Sequence, residues 1–140
     1  MITVRDVNPN DLNALVAEEL KKTEIKPPAV ASFVKSGVNT EHPPTQKDFW
    51  YLRSSAILRK LYLSPTPIGV EKLRTAFGSR KRRGHKKAHQ YKSGGKFIRL
   101  MLQQLEQEGL VKKVEKPRKG RIIAPKAQKL LDSLAKQVGQ

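Results

Sequence analysis

From Phe49 to Tyr62 the chain sets apolar side chains on nearly every face of a would-be helix: Phe49, Trp50, Leu52, Ala56, Ile57, Leu58, Leu61 and Tyr62. A surface helix shows an apolar stripe and a polar back, so a helix without a polar back has to be surrounded on most sides. A chain of 140 residues can enclose one such helix but hardly builds two independent cores. Residues Asp48 to Tyr62 are therefore expected as the central buried helix of a single domain over 1–140, and the remaining elements as its cover.

Spacing supplies the cover. Asn8, Pro9 and Asp11 read as a helix start, with a cap, a first-turn proline and an acid at the positive end of the dipole. Leu12, Leu15, Val16 and Leu20 then recur at helical period. Pro27 and Pro28 open a short second helix over Ala29 to Ser36, and Gly37 to Gln46 has loop composition. After Ser64, Pro65 and Pro67 a helix is expected from Gly69 to Phe77. Another runs from Ser93 to Glu108, with Phe97, Ile98, Met101, Leu102 and Leu105 on one face, and Gly109 stops it. Leu110 to Val114 and Arg121 to Ala124, joined by a turn over Lys116 to Gly120, predict one small β-hairpin. Pro125 begins a last helix that carries Ala127, Leu130, Leu131, Leu134 and Val138 on its apolar face. The fold class is mainly α, and from Pro67 onward the order resembles a winged helix, with Ser93 to Glu108 in the place of the recognition helix and the hairpin as the wing.

Charge narrows the function. The chain holds 29 Lys and Arg against 12 Asp and Glu, a net charge of +17. The excess is uneven: 1–48 is close to neutral, whereas 79–108 and 109–140 each carry nine basic and two acidic side chains. An imbalance this large calls for a polyanion, and nucleic acid is the natural one. No apolar run reaches the roughly 18 residues of a membrane span, and 1–10 has no signal-peptide core, so a soluble, cytoplasmic chain without a membrane partner is expected. There is no cysteine, hence no disulfide, thiolate metal site or thiol nucleophile.

The strongest candidate site is the stretch from Ser79 to Lys92. Between Arg80 and Lys92 stand seven Lys and Arg and no acid, with little to bury, so a mobile basic loop over about 79–92 is expected until a polyanion orders it. Arg80, Arg82 and Arg83 can fork onto phosphates; Lys81, Lys86, Lys87 and Lys92 act as point charges. Ser93 is placed to cap the following helix, with the N–H groups of Gly94 and Gly95 open to a phosphate. Lys96 and Arg99 lie off that helix's apolar stripe. Arg53 and Arg59 sit on the central helix six residues apart, approximately 120° around it, so they serve different surfaces. Trp50 is expected in the core, although it or Tyr51 could stack on an unpaired base. Lys119 and Arg121 complete the set in the wing. His85 and His89 have the spacing of a helical metal pair but no third ligand between them, so no metal is expected, and no cofactor, catalytic constellation or enzyme activity either.

The run Val4-Arg5-Asp6-Val7-Asn8, the central Phe49-Trp50-Tyr51-Leu52-Arg53-Ser54-Ser55-Ala56 with Arg59 and Leu61-Tyr62-Leu63, Gly69-Val70, Leu102-Gln103-Gln104-Leu105-Glu106 and Gly120-Arg121 together resemble the archaeal and eukaryotic small-subunit ribosomal protein nineteen family. The resemblance spans nearly the whole chain. It implies a winged-helix-like protein in the head of the small subunit, in contact with ribosomal RNA and neighbouring small-subunit proteins, supporting assembly and maturation of the precursor RNA. It further implies that Arg53, Arg59 and Arg99 belong to the basic surface and that Arg80 to Lys87 faces RNA. The chain is expected to be a monomer outside the ribosome. The competing reading is a winged-helix DNA-binding transcriptional regulator, for which Ser93 to Glu108 would enter a major groove and a dimer would be needed.

Overall fold

The computed structural model describes residues 1–116 and 118–140. Among these the α-helices are α1 (Pro9–Lys21), α2 (Phe49–Leu63), α3 (Val70–Phe77), α4 (Gly95–Gln107) and α5 (Pro125–Val138). Two antiparallel hairpins accompany them: β1 (Ser79–Arg83) with β2 (Lys86–Tyr91), and β3 (Val111–Val114) with β4 (Gly120–Ile123). Single 3-10 turns occupy Val4–Asp6 and Ala29–Ser32.

Helix α2 is central, as its all-round apolar pattern requires. It packs on α1, α4, α5 and β4, and Trp50, Ile57, Leu58 and Leu61 are at most 2% exposed. They meet Leu12, Val16 and Leu20 of α1, Ile98, Met101, Leu102 and Leu105 of α4, and Leu131 of α5 in one continuous apolar cluster. Each such side chain contributes about 1.5–3 kcal/mol of burial before chain entropy is set against it. Ser54 and Ser55, buried on the same helix, donate back to the Trp50 and Leu52 carbonyls at 2.8 and 2.7 Å, so neither hydroxyl is stranded. The Tyr62 hydroxyl donates to Asp132 of α5 at 2.6 Å. Trp50 is a core residue: its ring meets Phe97 edge-on with centroids 5.4 Å apart, and its indole N–H donates to Gln104 at 2.8 Å.

The expected caps divide. Asn8 Oδ1 accepts from the Asn10 N–H at 3.0 Å with Pro9 at the first helical position. Ser93 does not cap α4; Gly94 occupies the cap position without a side-chain bond. Ser93 is instead 3% exposed, its backbone paired across an isolated bridge with Gly37.

Three other expectations are corrected. The short helix over Ala29 to Ser36 is a single 3-10 turn ending at Ser32. Further on, the Ser36 carbonyl accepts from the Gly94 N–H at 2.7 Å and Gly37 bridges Ser93, which draws the backbone away from helix. The expected basic loop is a second hairpin: Ser79 pairs with Tyr91, Arg80 with Gln90, Lys81 with His89 and Arg83 with Lys86, with an irregularity between Lys81 and Arg83. Strand pairing satisfies backbone groups without needing a core, and Gly84, at φ 72°, takes the left-handed turn position cheaply. Hydrophobic periodicity is blind to such a ribbon. The wing is present, shifted one residue from its expected bounds at the start of β3 and at both ends of β4. Pro117, within its expected turn, lies outside the described residues.

Candidate nucleic-acid interface

The basic hairpin grows out of the end of α3 and returns to the start of α4. Its root is fixed by polar contacts. The Arg74 carbonyl accepts from the Ser93 N–H at 3.1 Å, the Arg74 Nε donates to the Ser93 carbonyl at 2.9 Å, and Asn39 bonds Ser79. Glu71 receives both Arg74, at 2.8 Å, and Lys92, at 3.1 Å. These two partners hold the Glu71 carboxyl below its ordinary value, the Arg74 hydrogen bond most. Lys92 is thus the one cation of the expected set at this root that is paired.

Beyond the root the cations are uncompensated. Arg80, Arg82, Lys86 and Lys87 are exposed, and among the described residues no salt bridge involves them. Lys81 lies over the Tyr91 ring at 5.6 Å, and Arg83 reaches the Lys87 carbonyl at 3.4 Å, so these two are partly held within the hairpin. At the start of α4, Lys96 and Arg99 are exposed. The Gly94 N–H, expected to be open to a phosphate, is occupied by Ser36. A Cβ on Gly95 would come within 2.7 Å of the Arg99 guanidinium, so that guanidinium folds back over the helix start beside Arg74.

Arg53 stands near this root. Its guanidinium lies 5.0 Å from the Phe49 ring centre and 4.4 Å from that of Phe77, the last residue of α3. Burial pushes its pKa below the ordinary arginine value, and no salt bridge involves it among the described residues. Two ring faces thus fix the side chain.

The structure does not bring the whole expected set together. Arg59 lines a separate recess of about 310 Å³ with Lys60, Lys72, Ile68 and Leu73, and its Nε is buried without a hydrogen-bond partner. Lys119 and Arg121 belong to the second hairpin. There Arg121 Nε faces Glu106 at 3.6 Å, with 16% of its side chain exposed, and Glu106 lies eleven residues along α4 from Gly95, about 16 Å at helical rise. Arg121 is therefore a packed tie, while Lys119 is exposed. Sequence reasoning missed Phe77, Arg74 and Glu71 as the frame of the hairpin. The signal lay in their positions just before an acid-free basic run, where a lone acid and an aromatic stand out.

No group of three or more potential metal ligands occurs among the described residues, and no described helix is long and apolar enough to cross a membrane. The model of the family Ribosomal protein S19e matches residues 3–140. The chain is 46% identical to a small ribosomal subunit protein eS19 of Aeropyrum pernix, over 99% of this chain and 90% of that one. It is 39% identical to the protein of the same name from Haloarcula marismortui, over 96% and 90%. To a small ribosomal subunit protein eS19G of Ascaris suum it is 36% identical, over 99% and 93%.

Proposed function

Since the chain belongs to the Ribosomal protein S19e family, we propose that it is a structural constituent of the small ribosomal subunit and that it binds ribosomal RNA through the β1–β2 hairpin and the start of α4. The relatives it matches carry names of ribosomal proteins and not of enzymes. The observation that carries the RNA contact is the uncompensated guanidinium and ammonium groups of the hairpin, projected on a paired ribbon whose root is fixed. Such a ribbon can follow a phosphate backbone and recognise folded RNA by shape. Lys96, Arg99 and Arg53 extend the surface at the root; Lys119 and the Arg59 recess offer additional contacts elsewhere. In this reading the 140 residues form one domain, monomeric until it joins the subunit head in the cytoplasm beside neighbouring small-subunit proteins, where it supports assembly and maturation of the precursor RNA. The family gives the DNA-binding regulator no support.

Binding of the purified chain to small-subunit ribosomal RNA fragments and to random duplex DNA, across a salt series, tests this. One RNA fragment should bind saturably and keep its preference at raised salt. Replacing Arg80, Lys81, Arg82 and Arg83 by alanine should flatten the slope of log affinity against log salt by about 3, at 0.7–0.9 per lost phosphate contact. Equal, equally salt-sensitive binding to RNA and DNA would overturn the reading.

A further inference from the structure

A recess of about 600 Å³ lies between the 36–46 segment and the first strand of the basic hairpin. Arg80 and Arg82 of β1 both line it. Pro44 and Phe49, in the first turn of α2 and already carrying Arg53 on its ring, supply hydrocarbon, and Glu41 and His42 join the lining. The start of the 36–46 segment is held in place: Ser36 accepts from the Gly94 N–H at 2.7 Å, Gly37 bridges Ser93, and Thr40 Oγ1 donates to the Gly37 carbonyl at 2.8 Å. That end of the recess is therefore fixed by the fold itself.

Its chemistry is mixed in an informative way. Two guanidinium groups would hold a bare phosphate or an acidic peptide, but Glu41 repels both. A basic peptide suits Glu41 and is repelled by the arginines. Neither makes use of the hydrocarbon. An unpaired nucleotide satisfies all three features: its phosphate meets Arg80 and Arg82, its ring lies on Pro44 beside the part of Phe49 that Arg53 leaves uncovered, and its amino hydrogens reach the carboxylate. Guanine fits best, because the N1–H and N2–H donors stand side by side on its exposed pairing edge and match the two oxygens of one carboxylate.

Resting on the RNA reading above and deepening it, we propose that this recess captures a single unpaired nucleotide, guanosine foremost, with Glu41 reading the base edge and Arg80 and Arg82 holding its phosphate. The full-length chain, labelled for amide NMR, is titrated with the hexamers UUGUUU, UUIUUU with inosine at the third position, and UUUUUU, and with tripolyphosphate. Inosine lacks only the N2 amino group. The guanosine hexamer should move the amides of Glu41, His42 and Gln46 and bind roughly three- to tenfold tighter than the inosine hexamer, the scale of one base-edge contact. Glu41→Ala, an exposed position, should remove that preference while leaving thermal unfolding unchanged. Arg82→Ala should weaken all three hexamers alike. Equal affinity for guanosine and inosine hexamers, or equal movement of the recess amides by tripolyphosphate, would overturn the proposal. If no hexamer moves the recess while a ribosomal RNA fragment still binds selectively through the hairpin, as would happen were the recess filled by a protein segment, this inference falls and the ribosomal reading stands. Loss of selective binding to every ribosomal RNA fragment would instead strike the ribosomal reading itself.

Discussion

None of the residues of the β1–β2 hairpin belongs to the apolar cluster, whereas β3–β4 sends Val111 into it, packs Ile123 against it and is joined to the chain before α3 by a bridge between Ile68 and Arg121. Both are short antiparallel ribbons rich in Lys and Arg. In the first the ribbon is held only at its root, by backbone bonds and the Glu71 pairs, and its side chains are free to meet a partner. In the second the ribbon is part of the packing, and one of its cations is taken up in holding it there. Basic residues in similar local structure thus carry different duties, decided by what lies beneath the strand.

The largest test of that difference is Leu110→Ala. Leu110 is 3% exposed at the start of the second hairpin, and its loss should lower unfolding free energy by about 2–5 kcal/mol. Tyr91→Ala in the first hairpin should lower it by less than about 1 kcal/mol. Similar losses in urea denaturation would mean that the first hairpin is also structural. Next come the glycines. A Cβ on Gly120 would sit 3.0 Å from the backbone of Ile68, so Gly120→Ala should cost about 1–3 kcal/mol by overpacking. Gly84→Ala meets no neighbour within 4 Å and strains only its φ of 72°, at about 1 kcal/mol.

Arg121→Ala and Lys119→Ala sharpen the contrast within one hairpin. The first should remove at most about 1 kcal/mol of stability, the scale of a partly exposed ion pair, and change RNA affinity little; the second should weaken RNA binding at low salt and leave the melting temperature where it was. A reversed pattern would move Arg121 back to the interface. The smallest effect is that of pH on the root of the first hairpin. The Glu71 pKa is lowered from 4.5 in the folded chain, so its pairs stabilise fully above that value and fade as pH falls through the lower folded value. Between pH 5 and 3, amide relaxation should report growing motion around Lys92 and Ser93, absent in Glu71→Gln, with the second hairpin unaffected.

Much of this architecture was legible because burial leaves periodic marks. Helix α2 could be read from residues apolar on all sides, α4 from Ile98, Met101 and Leu105, and the wing from Val111 and Val114 around a turn. The basic hairpin was not, since β1 and β2 bury nothing and leave no period. The cations themselves were plain in the sequence, but their division was not: Arg121 and Lys119 look alike until Glu106 is seen beside one of them. The aromatic clasp on Arg53 joins residues 28 positions apart in α2 and α3, Phe49 and Phe77, and no local pattern announces it.

Gln104 links three parts of the chain: it accepts from the Trp50 indole and donates to the Lys26 carbonyl, both at 2.8 Å. An amide has one giving end and one receiving end, so this connection has a polarity that a glutamate or a leucine could not copy. Its consequence concerns time and cooperativity more than strength. Neither bond can reach its full geometry until α2 is seated on α4 and the segment after α1 has closed over both, so the seating of the central helix and the closing of its cover are coupled into one event.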